Sequence, residues 1–305
     1  IIAVAGSNGK TSTKELMHAV LSQGYKTHMT AGNFNNHIGV PITLLDMPQD
    51  TEMAIVEIGT NHPGEIEALC KIVEPTHGII TNIGKEHLAG FGNLEAVAKE
   101  ESELYRYLQL NNGQAFVNAE DEWLVRMSRA LENRILFDRL ELKHIQLLPT
   151  IRFEFNGHKV SSSLMGAHNL ENILAALAIG QHFGIADDKI AAALSAYRPA
   201  NNRSEWLQKG SNSILLDAYN ANPNSMEAAI QNLSNLSAVK KVAVLGDMFE
   251  LGNDSAMEHQ KIADLVIESD IDLVYLIGEA FAKTEISKKE VFLVKSFEEF
   301  TELLK

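Results

Sequence analysis

Residues 1–13, Ile-Ile-Ala-Val-Ala-Gly-Ser-Asn-Gly-Lys-Thr-Ser-Thr, constrain the fold more than any other stretch of this chain. The five apolar residues at its head read as a buried strand. Gly6 and Gly9 interrupt the run, and a helix-like segment, Lys14 to Leu21, follows. A strand, a glycine-rich turn and a helix in that order aim backbone N–H groups and a helix N-terminus at one spot, which favours an anion. Lys10 is then placed to reach the β- and γ-phosphates of a nucleotide and the Thr11 hydroxyl to ligate Mg²⁺, with Gly6, Asn8, Gly9 and Ser12 along the phosphates. Val4 stands where the full phosphate-loop pattern has its first glycine.

With 305 residues the chain can bury a sizeable core in one or two domains. Its hydrophobic content of 45% and charged content of 22% are those of an ordinary globular chain. A net charge of -14 argues against a nucleic-acid partner, which needs a basic face, but not against phosphate held locally by amides and one lysine. The single cysteine, Cys70, excludes an internal disulfide and fits a reducing compartment; it is expected to pack on a helix. No apolar run approaches membrane-spanning length and no signal peptide is visible, so a cytoplasmic location without membrane insertion is expected. The start inside a strand, without an initiator Met, suggests an excised fragment.

Further along, strands alternate with helices. Lys26–Thr30 reads as a short strand, followed by the polar, amide-rich loop Ala31-Gly32-Asn33-Phe34-Asn35-Asn36-His37-Ile38-Gly39-Val40-Pro41. Its asparagines either make turns or hold a polar ligand. Met53–Ile58 is a buried strand interrupted by Glu57 near its C-terminal end. A buried carboxylate is costly unless paired or metal-bound, and ligands of parallel sheets gather at the C-terminal ends of strands. Glu57 is therefore a Mg²⁺-ligand candidate, or the partner of a buried base. His87 lies just past the strand His77–Thr81, where it is an ordinary histidine or joins a metal shell. The stretch Leu94–Leu108 is helical in pattern, and its charge run Lys99, Glu100, Glu101, Glu103 reads as a solvated face. Asn156-Gly157 between Ile151–Phe155 and Lys159–Leu164 predicts a hairpin, and helices are expected over Asn169–Phe183 and Asp187–Ala196.

The stretch from Arg198 to Arg203 reads as a linker, giving a first domain over 1–199 and a second over 200–305. In the second, Ser213–Leu216, Lys241–Leu245, Leu273–Ile277 and Val291–Val294 alternate with helical runs as four strand–helix units. The predicted fold class is α/β: a P-loop-type, mostly parallel sheet followed by a smaller Rossmann-like doubly wound domain.

These residues together resemble the Mur ligase family. The resemblance rests on the phosphate-loop run Gly6 to Ser12, the loop Gly32 to Pro41, Glu57-Ile58-Gly59-Thr60-Asn61, and His87-Leu88 with Gly90-Phe91-Gly92. It continues through Met165-Gly166-Ala167-His168-Asn169 with Asn172, Asp217-Ala218-Tyr219-Asn220-Ala221-Asn222-Pro223, and Leu245-Gly246-Asp247-Met248-Phe249-Glu250-Leu251-Gly252. The second, sixth and last of these motifs point to the branch that joins D-alanyl-D-alanine to UDP-N-acetylmuramoyl-tripeptide.

The resemblance implies ATP and Mg²⁺ as cofactors, an acyl-phosphate intermediate, and those two small molecules as substrates of a monomeric enzyme. It implies that Lys10 contacts the transferred phosphate, that Thr11 and Glu57 hold one Mg²⁺ and that His87 ligates a second. Asn169 and Asn172 would meet the adenine side, and Arg203 and Asp217 the nucleotide. Asn35 and Asn36 would face the muramoyl peptide, and Tyr219, Asn220 and Asn222 the incoming dipeptide. Where the family carries a carbamylated lysine this chain has Glu101, a carboxylate shorter by roughly 3–4 Å at ~1.5 Å per bond. It is expected to serve the second metal directly or through water. The resemblance also implies a missing N-terminal UDP-sugar domain and a C-terminal domain that stops early. Two other readings are another ligase of the superfamily, such as a folylpolyglutamate-type enzyme, and a nucleotide-binding module without ligase activity.

Overall fold

A computed structural model describes residues 1–85, 88–199, 205–286 and 290–303. It falls into two compact units, Ile1–Gly84 with Gly90–Leu216, and Lys85–Ala89 with Asp217–Lys305.

The first unit alternates β1 (Ile2–Ala5), α1 (Lys10–Leu21), β2 (Thr27–Met29), α2 (Gly39–Leu45), β3 (Met53–Glu57), α3 (Glu65–Val73) and β4 (His77–Ile80). There follow α4 (Leu88–Phe91), α5 (Leu94–Glu101), α6 (Glu103–Leu110), β5 (Gln114–Asn118), α7 (Glu122–Met127) and β6 (Arg134–Phe137). The six strands form one parallel sheet in the order β2-β3-β1-β4-β5-β6. The order reverses at β1, which lies between β3 and β4, and ligands of such sheets bind at that switch point, beyond the strands' C-terminal ends. The phosphate loop leaves β1 at this end.

Side chains alternate across the strands, so each supplies two cores. Ile2, Val4, Ile55, Ile79 and Phe116 pack under α1 and under two later helices, α8 (Ala167–His182) and α9 (Asp187–Ala196). Ala3, Ala5, Val56, Ile80, Ala115 and Val117 pack under α2, α3, α6 and α7. Cover on both faces is what a parallel sheet requires. Cys70 sits in the second of these cores, where burial, with Glu101 nearby, pushes its thiol up to about 12. It is a packing residue, as expected.

Before α8 come three antiparallel strands, β7 (Lys143–Gln146), β8 (Arg152–Phe155) and β9 (His158–Ser161). The predicted hairpin closes at Asn156-Gly157, both at positive φ (47° and 81°). The segment expected to be one helix over 94–108 is two, α5 and α6, meeting at Ser102.

The second half departs from the expected four strand–helix units. Asn212–Leu216 (β11) pairs antiparallel with Glu205–Lys209 (β10) and enters no parallel sheet. The reason is local: Gly210-Ser211, with Gly210 at φ 62°, closes a two-residue hairpin, and short-range pairing wins. After α10 (Pro223–Asn235), the parallel sheet holds three strands, β12 (Val242–Gly246), β13 (Leu273–Ile277) and β14 (Val291–Val294), with α11 (Ser255–Glu268) between the first two. The segment 280–284 contains only a 3₁₀ turn, Phe281–Lys283, and α12 (Phe297–Leu303) follows β14. Methionine and aliphatic residues of α10 and α11 build a single core over one face of this sheet.

Candidate functional site

The loop from Gly6 to Gly9 is shaped by contacts from three separate segments. Gly6 donates its N–H to Glu101 Oε2 at 2.8 Å, and Ser7 donates to the Asn82 carbonyl at 2.9 Å. Asn82 also clamps Asn8 from both sides: its Oδ1 accepts the Asn8 N–H at 3.0 Å, and its Nδ2 donates to the Asn8 carbonyl at 2.9 Å. Two glycines are required here. At Gly6 (φ +111°) a Cβ would lie 2.4 Å from Thr81 Oγ1, and at Gly9 (φ +83°) 2.5 Å from Asn172 Oδ1.

Helix α1 then starts with no side-chain cap among the described residues. Its first-turn N–H groups, including those of Thr11 and Ser12, have no partner within the helix, so an anion at this end gains donors and the favourable end of the helix dipole. Lys10 Nζ folds back over the loop and donates to the carbonyls of Gly6 and Ser7, the latter at 3.1 Å. Thr11 is buried beside it and Ser12 half-buried.

Parallel register sets Glu57 opposite Val4, two residues before the loop begins. The Glu57 carboxylate is 1% exposed. Its Oε1 accepts from Asn35 Nδ2 at 2.8 Å, and its Oε2 lies 3.2 Å from Lys14 Nζ. Both readings of Glu57 therefore meet in one place: it is paired with a buried base, and it stands at the strand end beside the phosphate loop. A carboxylate and a hydroxyl are donors that suit Mg²⁺, which is commonly held by one or two protein oxygens together with substrate phosphates and water. Among the described residues no group of three or more His, Cys, Asp or Glu side chains gathers as a metal cluster.

Asn169 and Asn172, on the first turns of α8, come to the same loop from the other side. Asn172 Oδ1 accepts from Thr13 Oγ1 at 3.0 Å, and its Nδ2 donates to Asn169 Oδ1 at 3.2 Å. Asn36 caps α2: its Oδ1 accepts the N–H groups of Ile38 and Gly39, each at 3.0 Å. Asp217, Tyr219 and Asn220 are exposed in the second unit, and Asn222 Oδ1 caps α10 by accepting the Ser225 N–H at 2.9 Å. His87 and Arg203 lie outside the described residues.

The charge run across α5 and the start of α6 corrects an expectation. Lys99 is exposed, but Glu100 is 6% and Glu101 0% exposed, so half of the run is not a solvated face. Glu100 accepts the N–H groups of Gly64 and Ile66, each at 2.8 Å, and so caps α3, while Glu101 holds Gly6. Adjacent carboxylates on one helix thus hold two loops at the same end of the sheet. Sequence reasoning also passed over Asn82 and Lys14. For Lys14 the signal was present: it shares an i, i+3, i+7 stripe with Met17 and Leu21, a buried face in which a lysine needs a partner.

Comparison with known proteins agrees with this geometry. Residues 4–180 match the Mur ligase middle domain, and residues 202–304 match the Mur ligase glutamate ligase domain. The chain belongs to the Mur ligase family. A curated relative, the UDP-N-acetylmuramoyl-tripeptide–D-alanyl-D-alanine ligase of Bacillus subtilis, is 37% identical over 289 residues, which cover 92% of this chain. The chain spans 63% of that relative's length. Among solved structures, MurF from Acinetobacter baumannii superposes with a TM-score of 0.89 at 32% identity, covering 99% of this chain and 69% of that one. MurF ligase from Thermotoga maritima in complex with ADP gives 0.88 at 26% identity, covering 99% and 72%. The α/β class with a mostly parallel phosphate-loop sheet is as the sequence predicted.

Proposed function

We propose that this chain forms the nucleotide-binding and following domains of an ATP-dependent amide ligase of peptidoglycan precursor synthesis. It would join D-alanyl-D-alanine to UDP-N-acetylmuramoyl-tripeptide. The observation that carries the reading is the open start of α1 beside Lys10 at the β1/β4 switch point, with Glu57 one strand away. Identity of 37% to a ligase of that name supports the substrate assignment.

A carboxylate is a poor electrophile, so the reaction needs a leaving group on it. An oxygen of the tripeptide's terminal carboxylate attacks the γ-phosphorus of ATP, and the bond to ADP breaks. The dipeptide amine then attacks the acyl carbon, the C–N bond forms, the C–O bond to phosphate breaks, and the amine gives up a proton. The protein's part is positioning and charge neutralisation. In this reading Lys10 swings from its loop carbonyls to the transferred phosphoryl group, and the N–H groups of the first turn hold the phosphates with Gly6, Asn8, Gly9 and Ser12. Thr11 and Glu57 would hold Mg²⁺, and His87 and Glu101 would serve a second ion. Such ions would neutralise charge developing on the phosphoryl oxygens. Asn169 and Asn172 face the base side of the nucleotide, Arg203 and Asp217 contact it, Asn35 and Asn36 face the peptide acceptor, and Tyr219, Asn220 and Asn222 the dipeptide. The reading includes a cytoplasmic monomer. No helix of the described residues is long and apolar enough to cross a membrane.

Glu101 favours a second reading. Its Oε2 is committed to the Gly6 N–H, as a carboxylate recruited to brace the loop would be in a nucleotide-binding module. Phosphate release from Mg·ATP separates the two, measured with the tripeptide and dipeptide substrates together and singly, on the protein with all the flanking sequence its gene encodes. Release that requires both substrates supports the ligase. Nucleotide binding without release in any combination supports the module.

A further inference from the structure

Lys14 is 0% exposed, one helical turn beyond Lys10 on α1, and no part of the proposed reaction uses it. A lysine this deep is costly unless its charge is paired and its protons are accepted. Both conditions are met by two chain segments at once. Nζ lies 3.2 Å from Glu57 Oε2 and donates to the carbonyl of Gly32. Gly32 opens the loop that carries Asn35, and Asn35 Nδ2 donates to the other oxygen of the same carboxylate at 2.8 Å. Asn35 is fixed in turn, because its carbonyl accepts the Gly59 N–H at 2.8 Å, just past the end of β3. Glu57 is therefore flanked by two groups that also hold the loop over 31–38: Asn35, which donates to Oε1, and Lys14, which faces Oε2 as an ion pair, that oxygen accepting no hydrogen bond among the described residues.

We propose that Lys14 is a positioning residue that couples the phosphate end of the site to the loop bearing Asn35 and Asn36. Three charged groups share the region: Lys10 over the phosphate loop, Lys14 one turn further along α1, and Glu57, its ion-pair partner, at the end of β3. Any ligand that draws on Glu57 must work against Lys14 or move with it, and Lys14 is tied to Gly32. Occupancy at the nucleotide is in this way transmitted to the segment proposed to face the acceptor peptide. The third contact, to a loop carbonyl, satisfies a proton of the buried ammonium and at the same time ties the ion pair to the loop. The inference rests on the nucleotide reading of the site and adds a link between its two ends.

The test is hydrogen–deuterium exchange over residues 31–39, with and without Mg·ADP, alongside the half-saturating Mg²⁺ concentration for ADP binding. It compares the unmodified chain with Lys14→Met and Lys14→Arg. In the unmodified chain Mg·ADP is expected to slow exchange in the loop. In Lys14→Met the loop should exchange on the order of tenfold faster and lose its response to Mg·ADP, and half-saturating Mg²⁺ should rise by a similar factor. Lys14→Arg, which keeps a charged donor, should restore part of both. If Lys14→Met lowers only the melting temperature while the folded protein keeps its loop response and its Mg²⁺ dependence, Lys14 is structural and the inference is overturned. Should Lys14→Met fail to fold, Lys14→Gln, which retains a donor for Gly32 but no charge, is read by the same two criteria. Failure of the unmodified chain to bind Mg·ADP overturns the nucleotide reading and the coupling with it. Binding with an equal loop response in variant and parent overturns the coupling alone.

Discussion

Both units of this chain carry a parallel sheet, and the two sheets are buried differently. In the first, the central strands β1, β3, β4 and β5 are buried along almost every residue, because helices cover both faces. In the second, β13 alternates between buried and half-buried positions, and on β12 Val242 and Val244 are 43% and 50% exposed. Both units bury charged groups, Glu258 of the second being 2% exposed and paired with Lys85 and Lys261, but they place them differently. The first unit buries Lys14, Glu57, Glu100 and Glu101 at the C-terminal end of its sheet and holds each with a named donor or acceptor. The corresponding carboxylate of the second, Asp247, caps a turn through the N–H groups of Ala280 and Phe281, each at 2.9 Å. Two-sided cover excludes water from strand ends and makes buried charge possible only in paired, fixed positions. The lesson is one of placement: the sheet closed on both faces sets its buried charges at the strand ends beside the loop, whereas the second unit buries Glu258 and His259 on α11.

The contrast can be broken by substitution. Phe116→Ala removes a fully buried ring from β5 and should cost about 3–5 kcal/mol in denaturant unfolding of the first unit. A loss under about 1 kcal/mol would mean that the two-sided core is not well packed there. Gly9→Ala comes next. A side chain at φ +83° costs roughly 1–2 kcal/mol. The same substitution pushes against Asn172, so nucleotide affinity, read by calorimetry, should fall more than stability does.

A pH effect of smaller size sharpens the same point. Burial, with the neighbouring His182 charge adding to it, holds His77 down at about 4, and burial alone does the same to His168. Both lie in the first unit. Between their ordinary value of 6.5 and about 4 the unfolded chain binds the proton and the folded chain does not. Stability from these groups is therefore complete above pH 6.5, declines as pH falls through that window, and levels off below it. Thermal melts across this range should show the decline, and His77→Phe should reduce its slope. The smallest effect is expected on the open face of the second sheet, where Val244→Thr should change unfolding free energy by no more than about 0.5 kcal/mol. A larger loss would show that this face is covered in solution.

Much of the molecule was legible in residue order. The apolar run into Gly6, the glycine spacing, Gly-Lys-Thr and the Asn156-Gly157 turn are local signals, and each fixed its element. The errors arose where two local signals competed or where partners were distant. Ser213–Leu216 has the look of a parallel strand, yet Gly210-Ser211 turns it back on its immediate neighbour. Glu100 and Glu101 look solvated in a run of charges, and nothing nearby in sequence reveals that their acceptors meet N–H groups of residues 64, 66 and 6.

By itself, then, the sequence determined the alternation of strand and helix, the phosphate loop with Lys10 and Thr11, and the placing of Glu57 at a strand end. Periodicity, glycine and motif chemistry act within a dozen residues and can be read without knowing the fold. Only the tertiary structure decided what Glu57 pairs with, which loop Lys14 holds, and that Glu100 and Glu101 of the charged run are buried. Those outcomes depend on groups far apart in the chain, where the cost of burying a charge is offset only by a partner that folding brings within about 3 Å.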